Sequence, residues 1–138
     1  MTAVRRMQAL EQHAGQILRN MGYEPFLVSN RFQGVRYKPF NLTAHKILED
    51  GSDDTIMVKL KISLHPIESL AQAAEFCRDE IWRAKRFFEK APATVKCSRY
   101  EVWIVIPINK FHVFEIARDG IREMLLPGEK TGLKEGAA

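Results

Sequence analysis

The segment Ile56-Met57-Val58-Lys59-Leu60-Lys61-Ile62 constrains the fold more than any other stretch. Side chains on a strand alternate between faces, so Ile56, Val58, Leu60 and Ile62 share one side and Met57, Lys59, Lys61 and Ser63 the other. A slip of one residue would put Lys59 and Lys61 on the other face. Val102-Trp103-Ile104-Val105-Ile106 is apolar at every position, as a central strand covered on both faces would be. The two patterns together call for a sheet with layers on both sides.

The layers are legible as helices. Val4, Met7, Leu10, Ala14, Ile17 and Met21 recur at three- and four-residue steps and predict a helix from Ala3 to Met21. Gly22 stands where a glycine cap is expected. Glu11 borders this apolar stripe instead of facing straight to water. A second stripe, Ile67, Leu70, Ala74, Cys77, Ile81, Ala84 and Phe88, predicts one long helix opening at Pro66 and ending near Ala91-Pro92. Its regularity is that of a helix packed on a sheet. Its opposite face carries Glu75, Asp79, Arg83 and Arg86.

Between and after these helices, strands are expected over Tyr23–Ser29, Phe40–Leu48, Ile56–Ile62, Tyr100–Pro107 and Phe111–Ala117. Asn30–Pro39 reads as a hairpin loop or an irregular arm, Glu49–Asp54 and Asn109-Lys110 as turns, and Arg118–Leu126 as a short closing helix. The expected class is α/β: a single domain over 1–126 with a mixed central sheet flanked by helices, in the order α-β-β-β-α-β-β-α. Residues 127–138, rich in glycine, read as a flexible C-terminal tail.

The 138 residues suffice for one domain with a real core, and 46% hydrophobic with 28% charged residues is an ordinary globular composition. The longest apolar run is far shorter than the roughly 20 residues of a membrane span, and no signal peptide is read after Arg5 and Arg6. Cys77 and Cys97 lack metal-ligand spacing and are expected as reduced thiols in the cytoplasm. The net charge is +4, which permits nucleic-acid binding without demanding it. The surplus is concentrated early: residues 1–61 hold nine Lys and Arg against six Asp and Glu.

Several classes of chemistry find no support. Gly34 and Gly51 stand alone, so no glycine-rich phosphate loop exists. No serine lies in a nucleophile elbow. His45 shares a face with Asn41 and His65 precedes the long helix, which leaves a metal site or general base open, but His13, His45, His65 and His112 lack the spacing of a metal site and read first as surface or strand-end residues. Two segments are compatible with nucleic acid. Arg31-Phe32-Gln33-Gly34-Val35-Arg36-Tyr37-Lys38 interleaves cations with aromatics, which suits phosphates and exposed bases or, equally, a twisted hairpin whose aromatics pack on the sheet. Arg78, Trp82 and Lys85 lie at helical spacing, either as one patch or with Trp82 covering the sheet edge.

The pattern Glu11-x-x-Ala14-x-x-x-Leu18-x-x-x-Gly22-Tyr23, with the element order around it, resembles the opening of the restriction-endonuclease-like (PD-(D/E)xK) nucleases, especially the archaeal Holliday junction resolvase-like branch. The resemblance spans most of residues 3–117 as element order. In that family a glutamate on the first helix, an aspartate opening one strand and an acid-x-lysine pair on the next form a metal site. The resemblance places Glu11 at the helix acid, Asn41 at the aspartate and Lys59-Leu60-Lys61 at the acid-x-lysine pair. Glu11 and Lys61 match; Asn41 and Lys59 depart.

The departures replace an Asp, Glu, Lys set of charge −1 by an Asn, Lys, Lys set of charge +2. Such a site repels Mg²⁺ or Mn²⁺ and suits a phosphate. The resemblance therefore implies a nucleic-acid-binding protein with a degenerate metal site, no cofactor, and DNA as partner. Glu11, Asn41, Lys59 and Lys61 would line the former site, Arg31, Arg36 and Lys38 would extend the phosphate surface, and the chain would pair as a homodimer. Three alternatives stay open. One is an active nuclease using Mg²⁺ or Mn²⁺ with an acid relocated to Glu68 or Glu75, which also suit an ordinary solvated helix face. Another is a protein-interaction or scaffold subunit. The third is that the two lysines are simply the outer face of an amphipathic strand, where lysine discourages edge pairing.

Overall fold

A computed structural model describes residues 3–28, 40–90, 99–106, 110–117 and 120–126. The segment holding Arg31, Arg36 and Lys38, the end of the long helix at Ala91-Pro92, Cys97, Asn109 and the tail from Pro127 lie outside the described residues.

Helix α1 (Ala3–Asn20) ends where the sequence places its cap. Gly22 takes φ +91°. Its N–H reaches the Arg19 carbonyl at 2.9 Å, and the Tyr23 N–H reaches that of Leu18 at 2.9 Å. This is the paired bonding of a glycine-terminated helix, closed by burial of Leu18 and Tyr23 in one core. The Lys46 ammonium donates to the Met21 carbonyl at 3.2 Å, a favourable place for a cation at a helix C-terminus.

The strands are β1 (Glu24–Leu27), β2 (Leu42–Ile47), β3 (Asp53–Ile62), β4 (Arg99–Ile106), β5 (Lys110–Ala117) and β6 (Gly120–Met124). They lie in the sheet in sequence order. Every pairing is antiparallel except that of β3 with β4, which is parallel. The expected turn before β3 is shorter than Glu49–Asp54, because Asp53 and Asp54 already pair with Ile47 and Lys46 of β2. Within that turn the Asp50 carboxylate accepts from the Ser52 N–H and hydroxyl, which holds its carboxyl below the ordinary range.

Two helices, α2 (Leu70–Phe76) and α3 (Arg78–Lys90), replace the single long helix. The start is later than Pro66 because Ser69 is extended and its hydroxyl accepts from the Gln72 N–H at 3.1 Å. Cys77 leaves helical geometry between them. Even so, its N–H still reaches Ala73 and its carbonyl still accepts from Ile81, so the junction is a kink and not a gap.

The last element corrects the expectation outright. Residues Gly120–Met124 are strand and not helix, with Ala117 opposite Gly120 across a two-residue connection. Alternation explains the choice. Ile121 packs into the core beside Phe114 and Ile116, whereas Met124 packs into the opposite core beside Phe111 and Val113. Arg122 pairs with Glu115 across the ladder, and His112 lies 3.5 Å from Glu123.

The result is a single α/β domain with a six-stranded mixed sheet between helical layers. On one face, Leu42, Ala44, Ile56, Val58, Leu60, Trp103 and Val105 pack with Ala14 and Leu18 of α1. On the other, Val102, Ile104, Ile106, Phe114 and Ile116 pack with Ala73, Cys77 and Ala84 of α2 and α3. Val102–Ile106 are buried throughout, as a doubly covered strand requires. No described helix is long and apolar enough to cross a membrane.

Candidate nucleic-acid interface

Because Val58 and Leu60 enter the core beneath α1, Lys59 and Lys61 emerge on the opposite face of β3, the side of α2 and α3. Lys61 turns back into the fold. Its ammonium donates to the Glu80 carboxylate at 2.6 Å and to the Phe76 carbonyl at 2.7 Å, and it lies 4.2 Å from the centre of the Phe76 ring. Glu80 is buried and Lys61 only partly exposed. A buried carboxylate needs such a partner, so the pair is integral to packing α3 on the sheet. Lys59 is half-buried and makes interactions of its own.

Glu11 approaches from α1 and is buried, as its place beside the apolar stripe suggests. It meets Asn41, whose amide nitrogen donates to the Glu11 carboxylate at 3.3 Å. The Asn41 carbonyl oxygen accepts the Leu60 N–H at 2.9 Å. The Asn41 N–H donates to Val58, and its backbone carbonyl accepts from Val28. Asn41 thus stitches β3 and the end of β1 together just before β2 begins, and no atom of its amide group is left over. The groove beside this contact, of about 330 Å³, runs between α1 and β1 and is lined by Glu11, Gln12, Gln16, Arg19, Pro25 and Leu27 among others.

Three of the four positions named by the resemblance therefore fall in two separate contacts, Glu11 with Asn41 and Lys61 with Glu80, and Lys59 belongs to neither. The donor set does not fit Mg²⁺ or Mn²⁺. Glu11 is its only carboxylate, the Asn41 oxygen is spent on a backbone N–H, and two lysines complete the set. Among the described residues no group of three His, Cys, Asp or Glu side chains could hold a metal ion. The acid that meets Lys61 is neither Glu68 nor Glu75. Glu68 is exposed ahead of α2, and Glu75 pairs with Arg78 on the surface at 3.4 Å. Glu80 was findable in the sequence by the argument used for Glu11, since it sits between Cys77 and Ala84 of the apolar seam.

The histidines lie apart from one another. His45 lies 3.2 Å from the Thr55 hydroxyl and 3.5 Å from Asp53, His13 stacks near Phe111 at 5.2 Å, and His65 is exposed. Cys77 is buried, and burial pushes its thiol up to about 12, so it is an unreactive core thiol.

A polar network absent from the sequence reading fills the α1 side of β3 and β4. Arg99 reaches Asp54 at 3.4 Å, Glu101 at 3.0 Å and the Tyr23 hydroxyl at 2.9 Å. Tyr23 donates to Asp54 at 2.5 Å, and the Trp103 N–H donates to Glu101 at 2.9 Å. Asp54, Glu101 and Tyr23 are buried. Burial and the bond to Asp54 raise the Tyr23 phenol. Burial would lower the Arg99 guanidinium, but its bonds to Tyr23 and Glu101 prevail and raise it. The network ties the exit of α1 to the sheet.

No protein-family model and no curated protein matches the sequence. Among solved structures the chain is similar to the Holliday junction resolvase of the archaeal hyperthermophile Archaeoglobus fulgidus. The two share 13% identity over 85% of this chain and 86% of that one, with a TM-score of 0.44.

Proposed function

We propose that the protein binds nucleic acid, DNA in the first instance, on a nuclease-like fold that does not perform metal-dependent cleavage. One observation carries this reading: the polar atoms of Asn41 and Lys61 are spent inside the fold, on Leu60 and Glu80. Metal-dependent hydrolysis needs a carboxylate cage open to a metal ion, a water and a phosphodiester. The net charge of +4 and its concentration before residue 62 are compatible with a polyanionic partner. In this reading Lys59 contributes to the phosphate-facing surface, and the segment with Arg31, Arg36 and Lys38 extends it.

A specific observation favours self-association alongside binding. Phe26, Leu27, Ile47 and Leu48 are exposed on β1 and at the end of β2, the outer edge of the sheet. Apolar side chains on an edge strand favour pairing with another chain, so we place a homodimer contact there.

The test is titration of the protein into labelled duplex, single-stranded and branched DNA at low and high salt, with and without Mn²⁺. Binding that weakens steeply with salt, without cleavage, is expected. Metal-dependent cleavage, or no binding at low salt, would overturn the proposal.

A further inference from the structure

Helix α3 presents an outer face that the site above does not use. Trp82 is 58% exposed, although large aromatic side chains usually find cover. Its neighbours at three- and four-residue steps are Arg78, Asp79, Lys85 and Arg86, all exposed. The Arg86 guanidinium carbon lies 4.7 Å from the centre of the indole ring. Trp82 is thus an exposed aromatic surface whose described neighbours at these steps are all charged. Such a ring of charge suits a charged ligand better than an apolar protein interface, which needs a wider apolar area. On α3 this face has three cations, Arg78, Lys85 and Arg86, against Asp79 and Glu89, and Arg78 is engaged with Glu75. A ligand that matches must offer a flat π surface beside negative charge.

We infer that this face of α3 is a contact for single-stranded nucleic acid, with a base stacked on Trp82 and the neighbouring phosphates on Lys85 and Arg86. Base–aromatic stacking tolerates any sequence because every base has a π face, and flanking cations follow the backbone. Arginine is the cation suited to this place, since its planar group stacks on the indole and still offers N–H donors to phosphate. The inference rests on the nucleic-acid reading above and locates one part of it.

The two tryptophans make the test specific. Trp103 is buried with its N–H bonded to Glu101, so a change in tryptophan emission on titration reports Trp82. The probes are a short oligothymidylate and an abasic strand of the same length, which keeps the phosphates and removes the bases. The expected result is quenching by oligothymidylate alone, with affinity for it reduced about fivefold or more in W82A and largely retained in W82F. Arg86→Ala should weaken both probes and reduce the salt slope by about one. Equal affinity of W82A and the native protein for oligothymidylate, or equal binding of the two probes without change in emission, would overturn the inference while leaving duplex binding intact. If no nucleic acid of any form binds the native protein at low salt, the broader reading fails and this contact fails with it.

Discussion

Lys61 and Glu80 meet at 2.6 Å where the end of β3 passes the kink between α2 and α3. The same ammonium satisfies the Phe76 carbonyl, next to the point where the helix breaks. One strand lysine therefore neutralises a buried acid and supports the break, and its charge is not presented to solvent.

Removing one member of this pair should cost far more than removing both. We expect Lys61→Met to destabilise the fold by about 2–4 kcal/mol, because it leaves Glu80 buried without its cation. The double variant Lys61→Met with Glu80→Leu should recover most of that loss. Urea unfolding of the two variants decides the matter; additive losses would show that the contact carries no coupling.

Arg99 is the cation that bonds Asp54, Glu101 and the Tyr23 hydroxyl together. Arg99→Ala should therefore cost about 3 kcal/mol or more, by stranding two buried carboxylates. Arg99→Lys should restore only part, since one ammonium cannot reproduce the planar fork. Thermal unfolding of both variants at neutral pH measures the difference.

Alkaline pH should weaken the fold through Cys77 and Tyr23. Both groups have raised values in the native state, so the unfolded chain releases their protons first. Their stabilisation is complete below the unfolded values and is lost as pH rises through the folded ones. For Cys77 the window runs from 9.0 to about 12, with a loss on the order of 3–4 kcal/mol across it. Denaturant unfolding between neutral pH and pH ~11 should show the decline, and Cys77→Ala should flatten it. An unchanged slope in that variant would count against the Cys77 assignment.

Lys59 and Lys61 should separate in binding assays. Lys59→Glu is expected to lower nucleic-acid affinity and reduce the salt slope, since a phosphate contact is lost. Glu80→Gln should leave both nearly unchanged, because it acts inside the fold. Parallel salt titrations of the two variants provide the comparison.

The outer edge makes a separate prediction. Phe26→Lys with Leu27→Lys should abolish self-association while leaving the protomer's unfolding free energy within about 0.5 kcal/mol, since both side chains are largely exposed. Sedimentation over a range of concentrations measures it. A monomer in the native protein would remove the edge contact.

The sequence showed most clearly those elements in which one periodicity had no rival. β3 alternates over its whole length, β4 is apolar throughout, and α1 carries five turns of stripe ended by Gly22. Ile121 to Met124 is too short to separate a period of two from one of 3.6. Its identity depends on docking beside β5, a tertiary fact. The apolar seam from Ile67 to Phe88 marks the helical layer but not the break at Cys77, because the seam continues through it. In the candidate site, Glu11 borders the stripe of α1, and Glu80 stands in the same relation to the seam of its own helix. The joining of Asn41 to Leu60 depends on where two strands end relative to each other, which no local pattern encodes.

The parallel alignment of β3 with β4 has a kinetic consequence. On each side of that seam lie three strands joined in antiparallel order, β1-β2-β3 and β4-β5-β6. Each trio is assembled by contacts between sequence neighbours, whereas the seam must wait for the chain through α2 and α3 to close. The sheet is two halves zipped along one line. We expect pulsed hydrogen exchange to show amides within each trio protected before those of the Ile56–Ile62 and Arg99–Val105 pairing, with Lys61 and Glu80 joining late, as the crossover settles onto the sheet.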